Sequence, residues 1–307
     1  MINTLIYWLG SALVGFISLL PLKFVAWVGR RVGGVFYFVD KRHRQVALNN
    51  LTMCFGHEKS PAEITAIARE NFRRLGENYA CMVKTYTMPW SKLKASVELD
   101  GMEHVLPRVA GPEAQNRVFA VGHFGLFEIL TRFNQFVPSF HIASTYRALS
   151  QPGLNRVMVE LRNRSGCELF ERRTEGDELV AMLTRRGAML GLLVDQHAGP
   201  NGLRMKFMGH ECSVTPAAAV FALRYRCPLH VAICYRIGLG KWRVENAREI
   251  QTTINGRRRP IADVTQEIND AFEVAIRRDP ANWFWVHKRW KPPEPKHPRK
   301  TASEPDV

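Results

Sequence analysis

The chain has 307 residues, 46% of them hydrophobic, a formal net charge of +15 and a pI near 9.9. That length buries one full core, or one core plus a membrane anchor, so the expectation is a single domain with appendages rather than two domains. The charge calls for an acidic partner, and the six cysteines (54, 81, 167, 212, 227 and 234) form no CxxC pair, which argues against a zinc site or a disulfide framework and for free thiols.

In chain order, Met1 to Leu22 carries no charged side chain and is rich in Leu, Ile, Phe and Trp, about long enough to cross a bilayer as a helix. Its basic residues, from Lys23 and Arg30 onward, follow the apolar run instead of preceding it. This order argues against a cleaved signal peptide and puts the remainder of the chain on the cytoplasmic side. Residues 1–28 are therefore read as a membrane anchor, spanning or lying in the interface. A buried core helix is the alternative, because Gly10, Ser11 and Gly15 weaken the run and Pro21 ends it. Lys41 to Phe55 reads as a short basic amphipathic helix. Ser60-Pro61-Ala62-Glu63 is a capping box with proline at the first helical position, and Ile64, Ile67, Ala68, Phe72, Leu75, Tyr79 and Val83 continue it at helical spacing.

From Arg117 the pattern changes to short apolar runs, Val118–Val121, Ile142–Thr145, Met189–Val194 and Leu229–Tyr235, with helices expected over Gly153–Arg164 and Pro216–Arg226 between some of them. This predicts an α/β fold: a central, mostly buried mixed sheet flanked by helices, behind the N-terminal anchoring helix. Trp242–Ile250 is a further strand before the Asn255-Gly256 turn, and Ile261–Arg278 is an amphipathic helix stopped at Asp279-Pro280. The folded domain is placed at 29–291, and residues 292–307, rich in proline and lysine, are assigned to a disordered tail.

The chemistry concentrates at Val118-Phe-Ala-Val-Gly-His-Phe-Gly-Leu-Phe-Glu128, where a buried strand runs into His123. Five residues apart on one α-helix, His123 and Glu128 would point about 140° apart. If His123 stands on the turn at the strand end and Glu128 lies in the following helix, the carboxylate can fold back onto the imidazole. One ring nitrogen is then fixed and the other is free to take a proton from a hydroxyl. Asp195, just past an apolar strand, occupies a position from which α/β folds often display site groups, and it could equally cap the next turn. Arg147 and Arg164 could hold a phosphate, since a guanidinium offers two parallel donors, or belong to a solvated basic face.

The H-x4-E pattern at His123 and Glu128 resembles the late acyltransferases of lipid A biosynthesis, the lauroyl/myristoyl type within the lysophospholipid acyltransferase superfamily. Thr145-Tyr-Arg147 with Arg162-Asn-Arg164 resembles the family's Tyr-Arg segment and its paired arginines. Val194-Asp-Gln196 with Gly199 and Phe207-Met-Gly209 resembles its Asp-containing loop, and Trp285-Val-His-Lys-Arg-Trp-Lys291 its closing aromatic-basic motif. The likeness covers residues 1–291. Gly122, where the family often has Asn, Trp290 in place of Phe, and Gln196-His197 depart from it and leave the precise acceptor open.

The resemblance implies transfer of a fatty acyl chain from acyl carrier protein to a hydroxyl of a lipid A precursor or related glycolipid, at the cytoplasmic face of the bacterial inner membrane. In that reading Glu128 orients His123 as general base, and Arg147, Arg164 and Asp195 bind substrate. The alternative is a coenzyme A-dependent enzyme acting on another polar lipid, such as a phosphatidylinositol mannoside. No metal or cofactor is expected, since His197, His210 and His230 lack ligand spacing and no phosphate-binding glycine loop is present. A nucleic-acid partner is disfavoured, because acidic residues are interspersed with the basic ones and the N-terminus is apolar.

Overall fold

The computed structural model describes residues 1–106, 115–138, 140–171, 174–184 and 187–292, so the expected tail beyond residue 292 lies outside the described residues. Helix α1 (Ile2–Leu19) stops at Leu20-Pro21, and α2 (Leu22–Val39) follows and crosses the expected boundary at residue 28. Asp40 then caps α3 (Lys41–Phe55) by accepting from the His43 amide at 3.0 Å. The expected capping box opens α4 (Pro61–Thr87): the Glu63 amide donates to Ser60 Oγ and the Ser60 amide to Glu63 Oε2, so two otherwise orphaned donors are satisfied.

The crossing of α2 on α4 is made by glycines. A Cβ on Gly33 would lie 2.2 Å from the Phe72 carbonyl oxygen, and one on Gly76 would lie 2.2 Å from that of Gly29. Backbones meet here without side chains between them. The crossing also carries a buried ion cluster: Glu77, with no side-chain exposure, accepts from Arg30 on α2, from Arg236 at 2.7 Å and from the Gly240 amide at 2.9 Å.

After two single-turn helices, α5 (Trp90–Leu93) and α6 (Met102–Val105), which flank β1 (Val97–Asp100), the chain enters the sheet at β2 (Arg117–Val121). The remaining elements are β3 (His141–Tyr146), α7 (Pro152–Asn163), β4 (Glu168–Glu171), α8 (Gly176–Thr184), β5 (Ala188–Leu193), the hairpin β6 (Leu203–Phe207) and β7 (His210–Val214), α9 (Ala217–Tyr225), β8 (Leu229–Gly238), β9 (Lys241–Asn246), the short pair β10 (Thr253–Ile254) and β11 (Arg257–Arg258), and α10 (Ile261–Arg278).

Seven strands form one mixed sheet in the order β1-β9-β8-β2-β5-β3-β4. Strands β8, β2, β5, β3 and β4 are parallel to one another; β9 runs antiparallel to β8 and β1 runs parallel to β9. Helices cover both faces, which is why the central strands read as unbroken apolar runs. Along β2, Val118 and Ala120 enter one core cluster, with residues of α3, α9 and α10, while Phe119 and Val121 enter the other, with residues of α2 and α4. The sheet was thus legible as expected. The edge strand β4, helix α8 and the β6–β7 hairpin were not.

Candidate active site

Strands β2 and β5 are neighbours in register, with Val121 opposite Leu193. Two residues beyond each, His123 and Asp195 stand side by side. His123 Nδ1 lies 2.7 Å from Asp195 Oδ1, and the His123 amide donates to Oδ2 at 2.7 Å. Trp283 Nε1 donates to the same Oδ2 at 2.8 Å, so the carboxylate is held by three groups.

Asp195 is buried, and burial alone would raise its pKa. The attraction of His123 and the hydrogen bonds from His123 and Trp283 outweigh it and hold the carboxyl at about 2. Asp195 is therefore an anion at any physiological pH. With Nδ1–H given to that anion, Nε2 carries the lone pair that a base requires. Nε2 lies 3.3 Å from the Gln196 side-chain nitrogen, and the ring sits between Phe127 (centroids 4.7 Å apart) and Phe284 (5.5 Å). The His123 side chain keeps 16% of its surface exposed, enough for a hydroxyl to approach.

The acidic partner differs from the expected one. Glu128 lies at the start of a 3-10 helix, Phe127–Gln135, and its carboxylate is taken up by Arg162 of α7, through Nε at 3.4 Å and Nη2, and by the Tyr86 hydroxyl of α4 at 2.7 Å. The physical reason lies in the turn. Gly125 adopts φ +51°, a Cβ there would lie 2.5 Å from the Cys234 carbonyl oxygen, and its amide donates to the Asn282 carbonyl at 3.0 Å. The chain leaves His123 through this bend and delivers Glu128 to the α4–α7 side.

The C-terminal motif encloses the Asp195 loop. His287 Nε2 accepts from the His197 amide at 3.0 Å, and the fully buried Arg289 donates to the carbonyls of Gln196 and, at 3.1 Å, of Ser213. Burial, aided by the nearby charges of Arg289, His123 and His197, pushes His287 down to about 4 against the pull of Asp195, which suits its role as acceptor. Asn50 of α3 and Asn71 of α4 pin this segment by donating to the carbonyls of Trp285 and His287, and of Ala281 and Trp283. Trp283, Arg289 and Gln196 were missed as site residues in the sequence.

Arg147 leaves the C-terminal end of β3, the same sheet edge that carries His123, and is exposed. Arg164 is also exposed but caps the far end of α7. The arginine that is drawn into the protein is Arg162, beside Glu128.

A family model described as bacterial lipid A biosynthesis acyltransferase matches residues 1–292. The chain is 24% identical over 289 residues to a lipid A biosynthesis palmitoleoyltransferase of Escherichia coli (strain K12), spanning 92% of this chain and 90% of that protein. It is 25% identical over 297 residues to a lipid A biosynthesis myristoyltransferase of the same organism, spanning 94% and 87%. A lipid A biosynthesis acyltransferase of Shigella flexneri is similar at 24% over 289 residues, spanning 92% and 90%.

Proposed function

The chain belongs to the bacterial lipid A biosynthesis acyltransferase family, and from that premise we propose that it transfers a fatty acyl group from acyl carrier protein to a hydroxyl of a lipid A precursor, at the cytoplasmic face of the inner membrane. The observation that carries the mechanism is the clasp of Asp195 on His123 Nδ1 at 2.7 Å, which leaves the lone pair on Nε2, where the Gln196 amide lies at 3.3 Å. In this mechanism Nε2 removes the proton of the acceptor hydroxyl as its oxygen bonds to the thioester carbonyl carbon. The tetrahedral intermediate collapses by breaking the carbon–sulfur bond, and the departing thiolate takes the proton back from the imidazolium. Asp195 remains ionised throughout and fixes the tautomer and the ring plane. The Gln196 amide, 3.3 Å from Nε2, yields that position to the acceptor hydroxyl when substrate binds.

Glu128 acts through Arg162 in this reading, holding a half-buried cation between α4 and α7. Arg147, exposed on the His123 edge, contacts an acceptor or donor phosphate, with Arg164 as a more distant basic group. A donor that is an acidic carrier protein and an acceptor that is a phosphorylated glycolipid both suit a chain of charge +15.

The test is a purified enzyme offered acyl carrier protein and coenzyme A esters with a lipid A precursor, read by product mass. Expected is one added acyl group from the carrier-protein donor, and loss of turnover by at least about a hundredfold in His123→Ala. Undiminished turnover in that variant sinks the mechanism; preference for the coenzyme A ester sinks the donor assignment.

A further inference from the structure

Helix α1 is apolar all round, yet only one of its faces is turned to the protein. The stripe Asn3, Tyr7, Gly10, Val14 and Ile17 faces inward. A Cβ on Gly153 of α7 would lie 2.4 Å from the Asn3 carbonyl oxygen, and one on Gly10 would lie 3.1 Å from Val157. Gln151 donates to the Asn3 side chain at 3.0 Å, and the Tyr7 hydroxyl donates to Glu160 at 3.0 Å. The Arg156 guanidinium lies 4.2 Å from the centre of the Tyr7 ring. At the other end of α1, Lys84 of α4 donates to the Ser18 carbonyl at 2.6 Å, while Val14 and Ile17 pack against the second core cluster. The helix is docked along its whole length.

A second stripe, Ile2, Leu5, Leu9, Leu13 and Phe16, is 58% to 75% exposed. Helix α2 adds exposed Phe24, Trp27, Val35 and Phe38, with Lys23 and Arg31 exposed among them and Arg31 lying 5.3 Å from the centre of the Trp27 ring.

By length and composition α1 qualifies as a membrane span, being 18 residues with none of them buried. Its neighbours do not allow one. A helix of this length occupies nearly the full hydrocarbon thickness when upright. Helix α7, docked beside it from Gln151 to Glu160, would be drawn into the same layer with exposed Arg156 and Glu160, and Lys84 would enter near the opposite end. Charges at such depth cost several kcal/mol each. Laid flat, the outward stripe sinks about 5–10 Å into the headgroup and acyl boundary while the charged groups of α7 stay in water. Lys23 and Arg31 then meet anionic headgroups.

We propose that α1 and α2 form a one-sided platform, and that the chain binds a single leaflet of an anionic bilayer without crossing it. The inference rests on the membrane association read from the apolar N-terminus, and the experiment separates the two. An epitope with a protease site is added before Met1, and Asn3→Cys with Gln151→Cys is introduced in the full chain. All six native cysteines are buried, so background coupling is small. Expected are proteolysis of the epitope only in inside-out membrane vesicles, never from outside intact spheroplasts, and a disulfide between the two introduced thiols in the membrane-bound protein. Cleavage from outside the spheroplasts, or failure of that disulfide to form, overturns the flat helix. Recovery of the wild-type chain in the soluble fraction removes the membrane association itself.

Discussion

His123 and Asp195 each stand two residues past the last paired residue of adjacent parallel strands, so the sheet register delivers the acid to the base without any loop having to reach across. Asp195→Asn keeps the shape but loses the charge and can present an N–H to Nδ1. Its expected effect is a fall in kcat of about 10²–10⁴ with little change in acceptor KM, measured by steady-state kinetics at saturating donor. Glu128 answers to a different partner. Removing one member of a buried ion pair typically costs about 3–5 kcal/mol, whereas replacing both with groups of similar volume costs far less. Chemical denaturation is therefore expected to show Glu128→Gln strongly destabilised and Glu128→Gln/Arg162→Met partly restored. Additive losses would separate the two residues. The sequence reading paired Glu128 with His123 and gave Asp195 a place in substrate binding or as a turn cap. A spacing of five is short enough to suggest contact, and only the bend at Gly125 shows that it is not used. The position of each just past an apolar run, His123 after Val121 and Asp195 after Val194, was the available signal, and reading it required knowing that β2 and β5 are neighbours.

At the scale of elements, the parts legible beforehand are those whose residues carry their own instructions. The Ser60–Glu63 box starts α4 at the expected residue, and the apolar run 118–121 is a strand because both of its faces are covered. Strand β4 and helix α8 are short and placed by their neighbours, so no periodicity announced them. The α2–α4 crossing was equally silent, since Gly29, Gly33 and Gly76 acquire meaning only against one another. It makes a sharp contrast between adjacent positions. A Cβ on Gly33 would press on the Phe72 carbonyl, whereas one on Gly34 would meet only the Arg73 side chain at 3.5 Å. Gly33→Ala is expected to lose about 1–3 kcal/mol and Gly34→Ala to be neutral or slightly stabilising, compared by thermal unfolding in detergent.

Across the whole molecule, two histidines tie stability to pH. Burial, with the charges of Arg117 and His104, pushes His230 down to about 4 even though its Nδ1 hydrogen-bonds the Ala247 carbonyl, and His287 is held near the same value. Because the folded pKa lies below the unfolded one, the unfolded chain takes up these protons first. Stability is therefore complete above about pH 6.5 and declines as the pH falls toward 4, each histidine contributing a slope of up to about 1.4 kcal/mol per unit. Denaturant titrations at pH 7, 6 and 5 are expected to show this decline, and a shallower one in His230→Gln.

The Glu77 cluster ties together parts of the chain that lie far apart in sequence. Its carboxylate sits on the fourth helix, but two of the donors that neutralise it, Arg236 and the Gly240 amide, are among the later parts of the chain to leave the ribosome. Without residues 236 and 240, Arg30 alone would offset an acid sealed between two helices, an arrangement that desolvation disfavours. The glycine-lined crossing therefore gains its full set of donors only when residues 236 and 240 have joined the fold, which makes the amino-terminal helix pair dependent on the far end of the sheet.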